Sequence, residues 1–358
     1  MSAHQQHRKN LAQLLQGLEI LNIRGDETIS VRGLAYHSGR VQPGDIFVAL
    51  KGYQTDGHLY IDKAIDNGAQ AIVVEIDLPP YPGIIQVRTP DTRLALAHMA
   101  AAFADHPSHN LPVIGITGTN GKTTTSYILE GIWQAAGAKV GVIGTVNCRF
   151  AGQVRPSHVT TPESLDLQLL LKEMQHHDIA CAIMEVSSHA LDLKRAHACR
   201  FAGAVFTNLS QDHLDYHRDL ETYFAAKSLL FTELLAGQCA TAGLAVINLD
   251  DPWGQKLRAQ LSTPVLTYGF GPGVDVRPEN YSLSPRGIRA RLATPFGSLD
   301  INSPLVGHYN LANILAATGT ALGLDVEPAY VVQGLADLTG VDGRLEPVAV
   351  PGQPLVLV

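Results

Sequence analysis

Short apolar segments alternate with longer amphipathic segments along most of the chain, which is the pattern of an α/β fold. The first part of the chain predicts a small α/β domain. Its predicted helices lie at 8–19, 58–67 and 91–105, and its predicted strands lie at 28–36, 45–50, 71–74 and 84–88. The polar segment 106–112, which contains two histidines and two prolines, predicts a linker. We therefore place the N-terminal domain at residues 1–107.

The middle of the chain predicts a larger domain at residues 108–345. Strands and helices alternate there as in a mostly parallel, doubly wound sheet. The predicted strands lie at 111–116, 139–143, 180–186, 202–207 and 243–248, the predicted helices at 122–137, 164–176, 218–234 and 309–323, and a β-rich stretch at 264–303. The final segment, 346–358, ends in QPLVLV, an apolar strand without a partner, which is a feature prone to aggregation. We therefore expect a truncated chain whose last residues begin a further domain.

The composition is that of a globular protein with packed cores, because 46% of the residues are hydrophobic and 16% are charged. The net charge of −7, without a cluster of Lys and Arg, argues against a nucleic-acid partner. No segment approaches the ~20 apolar residues that a membrane span needs, and the N-terminus does not have the pattern of a signal peptide. We expect a cytoplasmic protein without a membrane partner.

The cysteines are scattered along the chain without a C-x-x-C pair. They are Cys148, Cys181, Cys199 and Cys239. Neither a zinc knuckle nor a disulfide framework is indicated, so we expect reduced and mostly buried thiols.

Residues 111–125, LPVIGITGTNGKTTT, predict a strand, a phosphate-binding loop and the N-terminus of a helix. Gly118 and Gly121 let the backbone turn tightly and approach a polyphosphate, which successive N–H groups and the helix dipole then bind. Lys122 can reach the terminal phosphates, and the hydroxyl of Thr123 can bind Mg²⁺. We favour this interpretation over an ordinary turn with a surface lysine.

The spacing of this loop is a variant of the P-loop. The first glycine of the standard motif would stand at Ile116, whereas the chain has a glycine one position earlier, at Gly115. The match is therefore strong in the GKTT half and loose in the first half.

Two polar clusters follow predicted strands, at 185–189 and at 207–213. Ligands in parallel sheets bind at the carboxyl ends of the strands, so both clusters should lie at the edge where the phosphate loop opens. Glu185 and Thr123 offer the oxygen ligands that Mg²⁺ prefers. The sequence therefore predicts a magnesium site formed by this pair.

Other polar residues indicate a ligand or metal site less specifically. In DHLDYH, His213 and His217 have the spacing of a zinc pair on a helix, although a single metal ligand from His213 is the interpretation that we favour. Thr160 and Thr161 precede a predicted helix and remain available to a ligand. Lys227 lies in a predicted amphipathic helix, where a solvated lysine is the ordinary expectation.

These motifs occur together in an order that resembles the ATP-dependent Mur ligases of peptidoglycan synthesis, from about residue 30 to residue 346. The segments that carry the resemblance are GITGTNGKTTT, TTPESLDLQLLLKEM, MEVSSHALDLKR, VFTNLSQDHLDYH, YFAAKSLLF, GHYNLANILAA and GVDGRLE. Within the family, the chain is most similar to the ligases that add diaminopimelate or lysine to UDP-N-acetylmuramoyl-L-Ala-D-Glu. The resemblance implies that ATP phosphorylates the D-glutamyl carboxylate and that the amine of the amino acid attacks the acyl phosphate.

The resemblance also implies roles for individual residues. Lys122 would act on the transferred phosphate, Thr123 and Glu185 would hold one Mg²⁺, and His213 would hold a second Mg²⁺ together with a carbamoylated Lys227. The residues that would bind ATP are Gly118, Thr119, Asn120, Gly121, Lys122, Thr123, Thr124, Asn310, Asn313 and Arg344. The residues that would bind the UDP-muramoyl-dipeptide are Ser38, Tyr53, Gln54, Thr55, Thr160, Thr161, Ser187 and Arg195.

The chain departs from the family pattern at several positions. His37 and Gly39 flank Ser38 where the family has Asp and Arg, and Leu193 replaces a glutamine that precedes Arg195. The domain that selects the amino acid would begin where the chain stops, so we expect a monomer that binds nucleotide and has little or no ligase activity alone. The alternatives are the ligase that adds D-Ala-D-Ala, folylpolyglutamate synthase, and a nucleotide-binding fragment without catalysis.

Overall fold

A computed structural model describes residues 9–52, 55–212, 216–235 and 243–339, and two short strands beyond them. The chain divides into two compact units. Unit 1 comprises the described residues of 1–107 together with 162–172 and 193–199, and unit 2 comprises 108–161, 173–192 and the described residues from 200 onwards. Two short segments of the predicted central domain thus belong to unit 1, and the contiguous domain limits stay a prediction.

Unit 1 contains a five-stranded sheet in the order β2-β7-β6-β5-β4, which is parallel except for the antiparallel pair of β2 and β7. A separate antiparallel pair joins β1 and β3. The elements are β1 (Lys9–Asn10), α1 (Leu11–Leu14), β2 (Asn22–Arg24), β3 (Ser30–Val31), β4 (Gly33–Ala35), β5 (Asp45–Val48), α2 (Ile61–Asp66), β6 (Ala71–Val74), β7 (Ile85–Arg88) and α3 (Thr92–Phe103), with 3₁₀ turns at Ser38–Arg40 and Gly57–Tyr60.

Two hydrophobic cores lie on opposite faces of this sheet, because side chains alternate across a strand. Ile46 and Val48 of β5 belong to the core that α1 and α3 cover, whereas Phe47 belongs to the core that α2 covers. The resulting three-layer arrangement is the α/β domain that the sequence predicts.

The predicted helix at 8–19 is wrong in length. The structure has only α1, which begins after a capping box formed by Asn10 and Gln13. Gly17 adopts a positive φ of 81°, a conformation that ends a right-handed helix. The leucine spacing therefore extends beyond the helix that the backbone forms.

Unit 2 is built on an eight-stranded sheet in the order β11-β10-β9-β12-β8-β13-β14-β15. The strands from β9 to β15 in that order pair in parallel, and β10 and β11 add an antiparallel edge. The elements from the phosphate loop to the edge of the sheet are β8 (Val113–Thr117), α4 (Lys122–Ala135), β9 (Val140–Ile143), β10 (Asn147–Phe150), β11 (Gln153–Pro156), α5 (Ser164–His176), β12 (Cys181–Glu185), α6 (Ser188–Asp192), β13 (Phe201–Phe206), α7 (Leu220–Leu229), β14 (Leu244–Asn248), α8 (Pro252–Arg258) and β15 (Val265–Tyr268). Helix α5 contains the limit between the units, after Lys172.

The remaining elements include a three-stranded antiparallel sheet, β16-β17-β18, and an antiparallel pair, β19-β20, so the final apolar strand is paired and the expectation that it has no partner is wrong. They are β16 (Arg277–Ser284), β17 (Gly287–Ala293), β18 (Leu299–Ser303), α9 (His308–Gly323), α10 (Pro328–Ala336), β19 (Pro347–Val348) and β20 (Val356–Leu357). Helices α4, α9 and α10 share one large hydrophobic core with the parallel sheet and with β17 and β18. This is the doubly wound α/β architecture expected from the sequence.

Three observations bear on the other expectations. Cys148, Cys181 and Cys199 are buried and free, as predicted, and Cys239 lies outside the described residues. Burial raises the pKa of the Cys181 and Cys199 thiols to about 12. Within the part of the chain that the structure describes, no helix is both long and apolar enough to cross a membrane.

Candidate active site

The phosphate loop follows β8, which lies between β12 and β13 in the sheet. Gly118 has φ +143° and Gly121 has φ +90°, a region of the backbone map that side chains other than glycine rarely occupy. A Cβ atom at Gly118 would overlap the hydroxyl of Thr207, and a Cβ atom at Gly121 would overlap the side-chain oxygen of Asn313. Both positions therefore require glycine for conformation and for space.

The glycine that stands one position early, Gly115, is not part of the loop. It lies inside β8, where an added Cβ would be 2.8 Å from Cε1 of Phe201 and 3.2 Å from Cδ1 of Leu230. Its absent side chain makes room for two large hydrophobic residues. The irregular spacing thus combines a packing glycine in the strand with a turn that begins at Gly118.

The N-terminus of α4 is open to an anion. Its N-cap residue is Gly121, which has no side chain to bond the N–H groups of the first turn. Lys122 follows directly, and its Nζ donates to the carbonyl oxygens of Gly118 and Thr119, both at 2.9 Å. The helix dipole, the N–H groups and the ammonium group together create positive potential at this point.

The segment after β13 holds the phosphate loop through hydrogen bonds, and β13 lies on the side of β8 away from β12. The N–H of Thr119 donates to the Asn208 carbonyl oxygen at 2.8 Å, and the N–H of Asn120 donates to the Asn208 side-chain oxygen at 3.0 Å. The hydroxyl of Thr207 donates to the Asn120 carbonyl oxygen at 2.6 Å. These bonds fix the loop in its glycine-dependent conformation.

Glu185, at the end of β12, is a buried carboxylate that is 1% exposed. Its Oε2 accepts a hydrogen bond from the hydroxyl of Thr123 at 3.1 Å and another from the hydroxyl of Thr145 at 3.0 Å. Its Oε1 accepts from the Thr145 N–H at 3.2 Å. Among the described residues, Glu185 forms no ion pair.

A buried carboxylate is costly unless a cation compensates its charge. The carboxylate of Glu185 and the hydroxyl of Thr123 are hard oxygen ligands next to an anion-binding loop, and Mg²⁺ prefers such ligands. The donor set formed by Glu185 and Thr123 therefore fits a magnesium ion.

Lys227 of α7 lies on the other side of the phosphate loop and is 1% exposed. Its Nζ donates to the Gly118 carbonyl oxygen at 2.9 Å and lies 4.4 Å from the centre of the Tyr223 ring. Burial, assisted by the charge of Lys122 and opposed by that of Asp212, holds the pKa of Lys227 well below its ordinary value. The ordinary expectation of a solvated lysine is thus wrong.

Thr160, Thr161 and Ser187 lie beside Glu185. The hydroxyl of Thr160 is 3.1 Å from that of Thr145. The hydroxyl of Thr161 donates to the Glu185 carbonyl oxygen at 2.9 Å and accepts from the Ser187 N–H at 3.2 Å. Three residues predicted to bind substrate are therefore brought to the predicted magnesium site.

Asn310 and Asn313 lie on the first turns of α9 and are both buried. The amide of Asn313 donates to the Asn310 side-chain oxygen at 3.2 Å, and the amide of Asn310 donates to the Val306 carbonyl oxygen at 2.9 Å. Because Asn313 lies against Gly121, the start of α9 and the phosphate loop are close together. That both residues bind ATP stays a prediction.

The other predicted substrate residues belong to unit 1. Ser38 is buried in a 3₁₀ turn, and its carbonyl oxygen accepts from the Asn67 amide at 3.0 Å. The hydroxyl of Thr55 is 3.1 Å from that of Tyr60, and Arg195 forms an ion pair with Glu163 at 3.4 Å. The predicted site residues that lie outside the described residues are Tyr53, Gln54, His213 and Arg344.

Sequence reasoning missed one contributor to this site, Thr145, which follows β9 and so stands at the carboxyl end of a parallel strand. The rule that located Glu185 could have located it too. A threonine after a strand is also an ordinary turn residue, which is why the signal was weak. Asn208, which follows β13, belongs to the polar cluster 207–213 that the sequence placed at this edge, and it contacts the phosphate loop there. His217, considered as a zinc ligand, is buried with its Nε2 2.9 Å from the hydroxyl of Ser188.

Comparison with known proteins places this site in a family. A family model described as the Mur ligase middle domain matches residues 116–321, which is more than half of the chain. The chain belongs to the Mur ligase family. A second model, described as Mur ligase family, catalytic domain, matches residues 30–104 of this Mur ligase.

Curated relatives and solved structures agree with this placement. The chain is 45% identical over 323 residues to a UDP-N-acetylmuramoyl-L-alanyl-D-glutamate--2,6-diaminopimelate ligase of Geobacter metallireducens, covering 90% of this chain and 63% of the relative. A solved structure of a ligase with the same name has a TM-score of 0.83 at 28% identity, over 96% of this Mur ligase and 69% of that chain. A solved UDP-N-acetylmuramoylalanyl-D-glutamyl-2,6-diaminopimelate--D-alanyl-D-alanyl ligase from Acinetobacter baumannii has a TM-score of 0.65 at 26% identity, over 98% of this chain and 73% of that chain. The Mur ligase chain therefore spans less than two thirds of the length of its Geobacter relative.

Proposed function

We propose that this Mur ligase chain belongs to an enzyme that forms an amide bond at the expense of ATP, adding a third amino acid to UDP-N-acetylmuramoyl-L-Ala-D-Glu. Diaminopimelate is the amino acid that the names of the relatives favour, and lysine is the alternative. The proposed cofactors are ATP and Mg²⁺, and the proposed place of action is the cytoplasm, as a monomer.

The observation that carries this proposal is the buried pair of Thr123 and Glu185 beside the phosphate loop. The hydroxyl and the carboxylate would hold Mg²⁺ against the phosphates of ATP, and the ion would neutralise charge as the phosphoryl group is transferred. Lys122 lies at the start of α4, one turn from its present carbonyl partners, and would bind the transferred phosphate. The loop residues Gly118–Thr124 would bind the remaining phosphates through their N–H groups.

The acceptor carboxylate needs a place near the same loop. Thr160, Thr161 and Ser187 form a polar surface around the backbone and side chain of Glu185, which supports their proposed role in binding the muramoyl-peptide. A D-glutamyl carboxylate bound there would approach the terminal phosphate of a nucleotide on the loop. The chain would then contribute mainly positioning and charge stabilisation to the formation of the acyl phosphate.

We also propose that Lys227 is carbamoylated. Its burial favours the neutral amine, which is the form that combines with CO₂ to give a carbamate and a proton. The carbamate would supply a buried carboxylate-like group, which would hold a second Mg²⁺ together with His213. Intact mass measured after incubation with bicarbonate and Mg²⁺ should show the mass of one added CO₂, and a Lys227→Met variant should not. An unmodified wild-type protein under these conditions would contradict this assignment.

The main test compares binding and turnover in the wild type and in Lys122→Ala. We expect the wild-type chain to bind Mg·ADP and Mg·ATP, and we expect a full-length version of the enzyme to release ADP from ATP only when UDP-N-acetylmuramoyl-L-Ala-D-Glu is present. Lys122→Ala should weaken Mg·ATP binding by at least about tenfold, because a charged group that would bind the transferred phosphate is removed. Lys139→Ala, which removes an exposed lysine after the same helix, is the matched control and should bind normally.

The substrate on which ADP release depends distinguishes the proposed ligase from the alternative ligase. Release of ADP that depends on the muramoyl-tripeptide and D-Ala-D-Ala would identify the neighbouring ligase instead. Unchanged nucleotide binding in Lys122→Ala would remove the phosphate loop from the mechanism altogether.

A further inference from the structure

Thr145 occupies an unusual place between two groups of residues with proposed roles. It lies in the turn between β9 and β10, and it is exposed although Glu185 beneath it is buried. It contacts Glu185 through both its backbone N–H and its hydroxyl. The same hydroxyl is 3.1 Å from that of Thr160. Thr145 therefore stands between the buried carboxylate and the surface on which a substrate would bind.

The turn that presents Thr145 is built to approach Glu185 closely. Gly144, the residue before it, has no room for a Cβ, which would overlap Oε1 of Glu185. The N–H of Gly144 donates to the Asn147 carbonyl oxygen at 3.1 Å and closes the turn. Pairing of Cys148 with Ile143 continues the hairpin on its far side. The backbone of the turn between β9 and β10 therefore fixes the position of Thr145.

The number of hydrogen-bond donors in each group determines which of these hydroxyls donates and which accepts. A threonine hydroxyl donates one hydrogen bond, and the carboxylate of Glu185 can only accept. The Thr145 hydroxyl therefore donates to Glu185, and it is left to accept from Thr160. Thr123 donates to the same carboxylate oxygen from the phosphate loop. A continuous chain of hydrogen bonds runs from Thr160 through Thr145 and Glu185 to Thr123.

We propose that Thr145 is a positioning residue that orients the Glu185 carboxylate and couples the binding of the muramoyl-peptide at Thr160 to the binding of Mg·nucleotide at Thr123. The inference rests on the proposed function. A ligand that takes the hydroxyl of Thr160 as a partner changes the donor available to Thr145, and this changes the orientation of the carboxylate that holds Mg²⁺. Hydrogen bonds to an ionised acceptor in such chains strengthen one another, which makes the orientation sensitive to each member.

The test measures the Mg·ADP dissociation constant by calorimetry, with and without UDP-N-acetylmuramoyl-L-Ala-D-Glu. In the wild type, the dipeptide should tighten Mg·ADP binding by about five- to tenfold, the usual size of coupling between two sites. Thr145→Val keeps the branched shape and the backbone N–H but lacks the hydroxyl. We expect its ratio of the two dissociation constants to fall to about one, at a melting temperature close to that of the wild type.

Two further variants distinguish positioning from a general structural effect. Thr145→Ser restores the hydroxyl and should restore most of the coupling. Thr318→Val removes a buried threonine hydroxyl of α9 that has no hydrogen-bond partner among the described residues, and it should leave the coupling unchanged.

The outcomes are distinct for the inference and for the proposed function. Wild-type coupling in Thr145→Val, equal losses in Thr145→Val and Thr145→Ser, or a wild type that binds both ligands without coupling would each overturn the inference. A wild type that binds neither Mg·ADP nor the dipeptide would instead overturn the proposed function.

Discussion

At the scale of single residues, Gly118 shows how tightly the phosphate loop is constrained. Its φ of +143° is strained for any side chain, and the space where a Cβ would stand is filled by the Thr207 hydroxyl and by backbone atoms of Asn208 at 3.0 Å. The same residue offers its carbonyl oxygen to Lys122 and Lys227. A change at this position therefore disturbs the loop and both lysines.

Gly118→Ala should lower the free energy of unfolding by about 2–4 kcal/mol, because backbone strain and steric overlap add, and it should abolish binding of Mg·ADP. Gly137→Ala is the control, since Gly137 also has a positive φ, +77°, but nothing lies within 4 Å of its would-be Cβ. That variant should lose only about 1 kcal/mol and keep nucleotide binding. Chemical denaturation and calorimetry measure both quantities, and equal losses in the two variants would contradict the crowding argument.

Asp105 is a residue-scale feature of unit 1 that affects stability against acid. It accepts ion pairs from Lys9 and from Lys172, the latter at 2.6 Å. Burial raises its pKa, but the hydrogen bonds and charges of the two lysines outweigh burial and lower the pKa to about 2. A depressed pKa means that the carboxylate stabilises the fold above its unfolded pKa of 3.8 and loses that contribution as the pH falls towards 2.

Asp105→Asn should therefore lower the free energy of unfolding at pH 7 by about 0.5–1 kcal/mol, a value reduced for the partial exposure of the ion pairs. The difference from the wild type should vanish as the pH falls from about 4 to about 2, and it should shrink in salt. Asp178→Asn is the control, because Asp178 is, like Asp105, an exposed aspartate with a positive φ. Urea titrations across pH would contradict this account if the difference persisted at the lowest pH.

At the scale of elements, α10 packs on α4 at unusually short range. A Cβ at Gly334 of α10 would be 2.5 Å from Cα of Ile132 and 2.8 Å from the Gly131 carbonyl oxygen. Since these are backbone atoms, no side-chain rotation can make room. The two helices are in contact through their backbones, and the large core of unit 2 depends on that contact.

Gly334→Ala should destabilise unit 2 by about 1–3 kcal/mol, because the helices must move apart. Gly319→Ala is the matched control in α9, where a Cβ would meet only side chains, at 3.3 Å and 3.5 Å. Alanine is the better helix former, so this variant should be neutral or up to about 1 kcal/mol more stable. Thermal melts that rank the two variants in the opposite order would show that the helices can separate freely.

At the scale of the whole molecule, the two units each contain a buried thiol that reports on their opening. Cys199 belongs to unit 1, and Cys181 belongs to unit 2, on the strand that ends in Glu185. Both are buried, with pKa values raised to about 12, so a thiol reagent reaches them only when the surrounding structure opens.

Mg·ADP at about a hundred times its dissociation constant should slow labelling of Cys181 by about a hundredfold, because the ligand binds only the folded form of unit 2. Labelling of Cys199 should be unchanged if unit 1 opens by itself. Peptide mass spectrometry resolves the two thiols. Equal protection of both would show that the units open as one, and no protection of either would place the nucleotide elsewhere.

The sequence by itself determined the α/β class, the positions of most strands and the loop at 118–124. These features depend on neighbours along the chain: hydrophobic period, glycines that permit a turn, and residues that begin a helix. Glu185 was found in the same way. The end of its strand can be predicted from the local sequence, and ligands of parallel sheets bind at the carboxyl ends of the strands. The β10–β11 hairpin and the helices α6, α8 and α10 escaped prediction.

Only the tertiary structure decided which of these residues meet. Lys227 lies 109 residues from Gly118, and Glu185 lies 62 residues from Thr123, yet both pairs are in hydrogen-bond contact. The strand order sets such contacts, and no local pattern contains it. The packing role of Gly115, the support from Asn208 and the place of Thr145 between two groups of site residues follow from the same cause. Local sequence preferences determine the helices and strands, and the order in which the strands pair determines which strand ends lie next to each other.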